Sequence, residues 1–581
     1  MTLKPNRTAI RFYAIIVITA FLALFNRPIE SHAQTAGSNY NNLNNVNSVR
    51  SSESEFSFLK NLTISGFYQE TAGTFLDSEA IEYNTKSANS LATLRQLLQL
   101  DVNDQFGSHD QFFMRDWFVY EPAYPFEDDC PQTLGRPPGD CNADFYNQYG
   151  IREMWLKDTR GPLELYTGRQ IVTWGESLSF RVGDQINPQD TSWAFGFSNL
   201  EQSRIPLWML HPILNLPDAG PLSSNFFEVV YIPGVDFLYT QVDNSTDTID
   251  GQDQVAGRVN INAPAGSRFA GRPDNRCGGP LLNTCVNGVA ASEPPTSVLV
   301  KHGFLPDVQF QIPRATWANN QVGVRLHTLV YNTEIAAYYL YSHEYSPVLE
   351  VAQIEKLPAG KALGERRVNA TYPLFQSFAV TGNRPIYLPG KLASWPLVLR
   401  AELFYKNHKA YNWLYPAYNW PKGDLNPTAG GSSFLTHSDQ VLWLIALDVD
   451  NVAVPRLSET GSVTVNLEIN GTTALSPNQY MQQAASNLTR LYHNDINILL
   501  NVGTSWYWGA IAPTWTNIYN PDGNTWELFP SVVLTPPWTD KYFASLKYIG
   551  ILGTNKFGID GGIFKGKSLF VSTFQYNFSL L

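Results

Sequence analysis

The feature that most limits the fold of this chain is a period-two alternation of apolar and polar residues, repeated in long runs from residue 62 to the end. In 62–69, Leu62, Ile64, Gly66 and Tyr68 oppose Thr63, Ser65 and Gln69. In 94–103, Leu94, Leu98, Leu100 and Val102 oppose Arg95, Gln99, Asp101 and Asn103. The runs 163–171, 322–331, 397–406 and 462–469 repeat the code. The cleanest sets Leu397, Leu399, Ala401, Leu403 and Tyr405 against Arg400, Glu402 and Lys406. Alternation of this kind puts one residue set on each side of a β-sheet, because successive side chains of a strand point to opposite faces. Runs of about nine to eleven residues match a tilted membrane-crossing strand. Aromatic residues gather near the strand ends, among them Trp155, Tyr166, Tyr338, Tyr339, Tyr341, Tyr405, Trp506 and Trp508. Such clusters form the interfacial girdles of transmembrane barrels.

The last run points the same way. Phe570, Phe574, Tyr576, Phe578 and Leu580 alternate with Val571, Thr573, Gln575, Asn577 and Ser579. This looks like the C-terminal assembly strand of outer-membrane barrels, although Leu580-Leu581 follow Phe578 where that pattern ends on an aromatic. Beyond the N-terminus, every apolar run is broken by charge, Pro or Gly within about ten residues, short of the roughly 18 a helical span needs. The fold class expected is therefore all-β: an antiparallel transmembrane barrel of about 16 strands (14–18), with short periplasmic turns and long outer loops near 121–148, 243–298, 345–366 and 406–433. Turns such as Asn332-Thr333 and Lys565-Gly566-Lys567 are the short ones.

The N-terminus reads as an export signal. Lys4, Arg7 and Arg11 precede the uncharged stretch Phe12–Phe25, and Ser31-His32-Ala33 offers small residues at the recognition positions. Cleavage after Ala33 is expected. The chain then divides into a signal peptide (1–33), an Asn/Ser-rich leader (34–55) and one barrel domain (56–581). The location expected is the outer membrane of a bacterium with two membranes, with its lipid as a partner. Cys130 and Cys141, and Cys277 and Cys285, flank two Pro/Gly-rich loops and read as two local disulfides of an oxidising compartment. Zinc-knuckle spacing is missing. With 40 Lys+Arg against 51 Asp+Glu, the net charge of -11 argues against a nucleic-acid partner.

Chemistry is sparse. No two histidines stand four apart as in a zincin, and no P-loop, dinucleotide fingerprint or G-x-S-x-G elbow occurs. Neither enzymatic activity, a metal nor a cofactor is expected. The charged positions point instead to a lumen. An Arg facing lipid at the midplane costs roughly 2–4 kcal/mol. Arg95, Arg152, Arg325 and Arg400, with Glu402, therefore line the interior, either selecting solutes or bracing the wall. Arg169, Trp174, Glu176, Asn187 and Asp190 form a second set after a strand at 163–171. One reading folds this loop inward as a constriction, with Arg169 and Glu176 facing the path. The other anchors it through Trp174, ends a turn at Asn187-Pro188 and uses Asp190 to cap the next segment.

That second set also carries a resemblance. Gly168-Arg169-Gln170, then Trp174-Gly175-Glu176-Ser177, then Asn187-Pro188-Gln189-Asp190 resembles the G-R-Q, W-G-E-S, N-P-x-D succession of the outer-membrane proteins of domain-of-unknown-function family 1302. Arg204-Ile205-Pro206 with Met209-Leu210, and the segments 320–325 and 333–343, extend it over about residues 56–345. The resemblance implies an outer-membrane barrel that moves hydrophobic compounds together with periplasmic lipid carriers and inner-membrane exporters. The function expected is a channel or transporter for small solutes or hydrophobic compounds through a charged lumen narrowed by an inward loop. Two alternatives stay open: an exported soluble β-protein that binds glycans through aromatic loops such as 411–427, and a barrel enzyme.

Overall fold

A computed structural model describes residues 61–76, 91–120, 148–188, 200–234, 306–311, 316–345, 348–354, 366–390, 397–413, 435–454, 463–477, 494–553 and 568–580, with a few single positions between them. Alternation is translated directly into strands. The first half holds β1 (Thr63–Phe75), β2 (Leu91–Phe106), β3 (Asp110–Tyr120), β4 (Gln148–Arg160), β5 (Leu163–Gln170), β6 (Leu207–Asn215), β7 (Leu222–Ile232), β8 (Pro306–Gln311), β9 (Gln321–Val330) and β10 (Thr333–His343). Next come β11 (Val348–Ile354), β12 (Arg366–Thr371), β13 (Leu374–Ile386), β14 (Leu397–Trp413), β15 (Leu435–Val452) and β16 (Val463–Ala474). The chain continues with β17 (Met481–Gln482), β18 (Asn494–Gly503), β19 (Ile511–Asn520), β20 (Thr525–Leu534), β21 (Tyr542–Gly553) and β22 (Leu569–Ser579).

Eighteen of these strands pair antiparallel in chain order, and β22 returns to β1 from Ser65↔Ser579 to Phe75↔Leu569, which closes the ring. Closure satisfies every edge that an open sheet would leave unpaired. The aromatic C-terminal run thus forms the seam. The expected 16 strands become 18, because tight hairpins use less chain than assumed. Gly161-Pro162 and Tyr331-Asn332 each join two strands, and residues 521–524 join another pair. Tyr331 and Asn332 have φ of 45° and 65°, the two-residue turn whose twist suits a hairpin. The boundary expected at 406 also moves: β14 runs on to Trp413 past a bulge at Lys406/Lys409.

Connections are unequal. At the rim shared with both ends of the barrel they run from two to ten residues; at the other they reach 88 residues between β7 and β9. The long-loop rim also holds a separate three-stranded sheet of β8, β11 and β12, in which β8 and β12 are parallel. The turn expected at 565–567, all four cysteines and the aromatic segment beyond 413 lie outside the described residues.

The wall is inverted relative to a soluble protein. Along β14, Leu403 is 54% exposed on the outside, whereas its neighbours Glu402 (4%) and Phe404 (0%) are buried inside. Phe378, Val380, Leu326, Ile445, Trp515 and Trp526 are likewise exposed outward from other strands. Among the described residues no helix is long and apolar enough to cross a membrane.

Candidate functional site: a loop pinned inside the barrel

The segment after β5 leaves the wall and folds into the interior. Its contacts run strand by strand round the ring, from β7 to β16, eight strands from its origin in a ring of eighteen. Only a path through the lumen joins walls so far apart. Two carboxylates on the far wall hold it. Glu402 of β14 accepts the backbone N–H groups of Ser177 and Gly183, each at 2.6 Å, and that of Glu176. Glu468 of β16 accepts the Leu178 N–H at 2.9 Å and the Ser177 hydroxyl at 3.0 Å. Concave backbone amides of this kind are a natural anion cradle. A side chain at position 183 would not fit: a Cβ there would lie 2.3 Å from the Tyr338 hydroxyl and 2.9 Å from Glu402 Oε2.

Arg400 completes the latch. Its guanidinium donates to both Asp448 oxygens (2.5 and 2.9 Å), to Glu468 (3.0 Å) and to the Glu176 carbonyl. The Glu176 carboxylate accepts from Asn383 at 2.9 Å. Arg400, Glu402, Asp448 and Glu468 are thus taken out of water together, which is tolerable only because each meets opposite charge or several donors.

Behind the latch lies an apolar core inside the barrel. Trp174, Val182 and Ile186 of the loop pack with Leu207, Met209, Val230, Ile232, Tyr338, Leu340, Phe375, Phe404 and Leu444 of the wall. Trp174 is buried and donates to Glu228 at 2.9 Å; that carboxylate also meets His211 at 2.7 Å and Arg325 at 3.3 Å. Gly323 of β9 gives the indole its space, since a Cβ there would come within 2.7 Å of the ring. Tyr338 donates to the Gly183 carbonyl at 2.9 Å. Just past β10, Tyr345 donates to the Ile186 carbonyl at 3.0 Å; burial pushes its pKa up to about 12, so it stays a donor. Glu344, beside it, is buried, which by itself raises a carboxyl pKa. Lys406 at 3.0 Å and Lys409 at 3.2 Å overcome this and hold Glu344 at about 2.

The base of the loop is tied by Asn187. Its side chain accepts the Val172 N–H at 2.8 Å and donates to the carbonyls of Gln170 (3.2 Å) and Ile205 (3.0 Å). Arg169 lies there too, donating to the Ile151 carbonyl at 2.8 Å and the Pro206 carbonyl at 3.3 Å, buried rather than facing a path. Arg204 and Arg181 share Asp184 at 2.8 and 3.1 Å.

Of the residues singled out in the sequence, Trp174, Glu176, Arg325, Arg400 and Glu402 come together round the loop, and Asn187 and Arg169 sit at its base. Arg152 lies on the near wall, 3.6 Å over the Trp117 ring, donating to the carbonyls of Glu201 and Gln202 at the helical turn Leu200–Ser203. Arg95 is buried on β2, opposite Thr71 of β1, away from the latch. Asp190 lies outside the described residues. Sequence reasoning missed Glu468, Glu228 and Asp184, and it set Tyr338 in an interfacial girdle, whereas that residue is buried in the internal core against Trp174. Glu468 stood on a recognised polar face, but nothing local ties it to a loop 290 residues earlier. Among the described residues no three His, Cys, Asp or Glu side chains converge to hold a metal ion.

Fold and site together define a class: a closed 18-stranded antiparallel barrel whose interior is partly filled by a latched loop. The chain belongs to the family described as "Protein of unknown function (DUF1302)", whose sequence profile matches residues 139–498 and so covers both the loop and its latch. No curated protein matches the chain. Among solved structures it is similar to OccAB1 of Acinetobacter baumannii, at 9% identity over 90% of this chain and 98% of that one, with a TM-score of 0.46. It is also similar to OpdK of Pseudomonas aeruginosa crystallised with vanillate (8%, 90% and 100%, 0.41) and to a BenF-like porin of Pseudomonas fluorescens Pf-5 (8%, 90% and 100%, 0.44).

Proposed function

We propose that the chain is an outer-membrane channel that passes small solutes, including hydrophobic ones, along a lumen narrowed by the loop after β5. The carrying observation is the asymmetry of the interior. One side is filled by the loop and its core. The other, from β18 round the seam to β1, carries neutral amides and hydroxyls, among them Gln69 with Gln575 (2.9 Å), Thr71 with Thr573 (3.3 Å) and Thr516 with Asn501 (2.8 Å), beside Phe529 with Lys547 over its ring. A wall that is apolar outside and polar inside suits lipid around it and water within.

The exported chain, with its signal removed after Ala33, sits with short turns toward the periplasm. Periplasmic carriers and exporters, as the family resemblance implies, exchange solute at that rim. The outward apolar band speaks against a soluble glycan binder, because monomeric soluble proteins rarely expose continuous patches beyond a few hundred Å². The barrel is a conduit rather than an enzyme.

Two measurements test this reading. The protein should stay in the membrane through carbonate washing and migrate differently on gels before and after boiling. Inserted in a planar bilayer, it should give discrete conductance steps in plain salt. Release by carbonate, or a folded barrel that carries no current, would remove the channel reading.

A further inference from the structure

Inside the barrel, close to the short-turn rim, four rings stand side by side on consecutive strands. Phe113 of β3 lies 5.1 Å from Trp155 of β4, Trp155 lies 5.5 Å from Tyr166 of β5, and Tyr166 lies 5.4 Å from His211 of β6. Register puts them at one level: Phe113 pairs with Trp155, Tyr166 with His211, and Trp155 faces Gly168, two residues beyond Tyr166 on β5. They are on the inner face, because the intervening Leu156 is 49% exposed outside while Lys157 and Glu164 pair within at 2.6 Å. His211 is buried, but Phe113, Trp155 and Tyr166 keep part of their surface open.

We propose that Phe113, Trp155 and Tyr166, backed by His211, form a binding track for flat aromatic solutes on the inner wall of β3–β6. This rests on the channel reading above. Rings that meet lipid on the outside of a barrel are ordinary. A run of part-exposed rings on an inner wall has no lipid to meet, and this one crosses four consecutive strands, whereas Phe226 with His327 is a single stacked pair and Phe529 stands with Lys547. Across four strands about 4.8 Å apart, the track is about 15 Å wide, room for one or two aromatic rings. Its neighbouring charges are already matched: Arg115 with Asp101 (2.7 Å) and Glu153 (3.1 Å), and Lys157 with Glu164. Selection therefore works through the ring rather than through net solute charge. Arg115 lies 5.3 Å from the Phe113 ring and Lys157 5.1 Å from that of Tyr166. A cation near the track favours electron-rich rings.

The test uses the full-length protein in planar bilayers, with phenol added on the short-turn side and cyclohexanol as the saturated probe of the same size. Phenol should interrupt the open current at concentrations where cyclohexanol does not. Trp155→Leu and Tyr166→Leu, which keep apolar bulk and lose the π-face, should each raise the half-blocking concentration about three- to tenfold. Plain-salt conductance and heat-modifiable migration should stay those of the parent, and Trp155→Phe should keep the block. Equal block by phenol and cyclohexanol, or unchanged block in both Leu variants, overturns the track and leaves the channel standing. A folded parent without any salt current removes the channel reading and the track with it. If the rings serve only to brace strands, the Leu variants alter the heat-modified transition and leave the phenol-to-cyclohexanol ratio unmoved.

Discussion

Glu402→Gln is the substitution that bears most directly on the latch. The native carboxylate accepts three backbone N–H groups, two on one oxygen and one on the other. Glutamine has the same shape but only one acceptor oxygen. If that oxygen keeps the Glu176 and Ser177 amides, the new NH₂ group faces the Gly183 N–H, donor against donor. One bond is lost outright and two lose their charge. With hydrogen bonds to charged groups at about 1.5–3 kcal/mol each, the loop loses about 2–4 kcal/mol of attachment. At 1.4 kcal/mol per tenfold, the detached population rises about 30- to 700-fold. The barrel wall is untouched, so heat-modifiable migration should be that of the parent. Single-channel records should show frequent excursions to a higher conductance, and limited proteolysis should cut between 175 and 186 faster. A folded variant whose current noise and cleavage rate match the parent would refute the argument that Glu402 holds the loop.

Other perturbations act on the same geometry. Trp174→Ala empties the centre of the internal core and leaves Glu228 without its indole donor. A loss of about 3–5 kcal/mol is expected, seen as a lowered heat-modified transition and a larger open current. Glu344 gives a pH dependence. Its folded pKa of about 2 lies below the ordinary 4.5, so its contribution is complete above about 4.5 and is lost as pH falls from there through about 2. That gap corresponds to about 3 kcal/mol. Melting at pH 7, 4 and 2.5 should therefore show a fall in the parent that Glu344→Gln, already destabilised at pH 7, does not share.

Much of this molecule was legible because a barrel writes its architecture locally. Each strand announces two faces, and the faces at 94–103, 397–406 and 462–469 turn the way their alternation indicates. What was not legible is where the loop goes. Its anchors Glu402 and Glu468 lie more than 220 residues away, and their polar-face signal is the same whether a carboxylate braces the wall or seizes a loop. The core was hidden for a related reason. Phe404, Leu444 and Trp117 stand where the period-two code calls for a polar lumen residue, and they point inward because other residues cover them. Arg169 misled in the opposite sense. A charge at the end of a strand suggests a path, yet its donors are used by the carbonyls of Ile151 and Pro206.

The central claim is that residues 173–186 occupy the lumen and limit its current. Val172 and Asn187 are already joined by a 2.8 Å hydrogen bond, so the intervening segment can be exchanged for a short Gly-Ser turn without parting the ends of the loop. The measurement is single-channel conductance of that excised variant beside the parent, both verified as folded barrels by heat-modifiable migration. A severalfold rise in conductance with quieter open-state current is the result predicted. Equal conductance in the two proteins would contradict the claim and place the conducting path away from the loop.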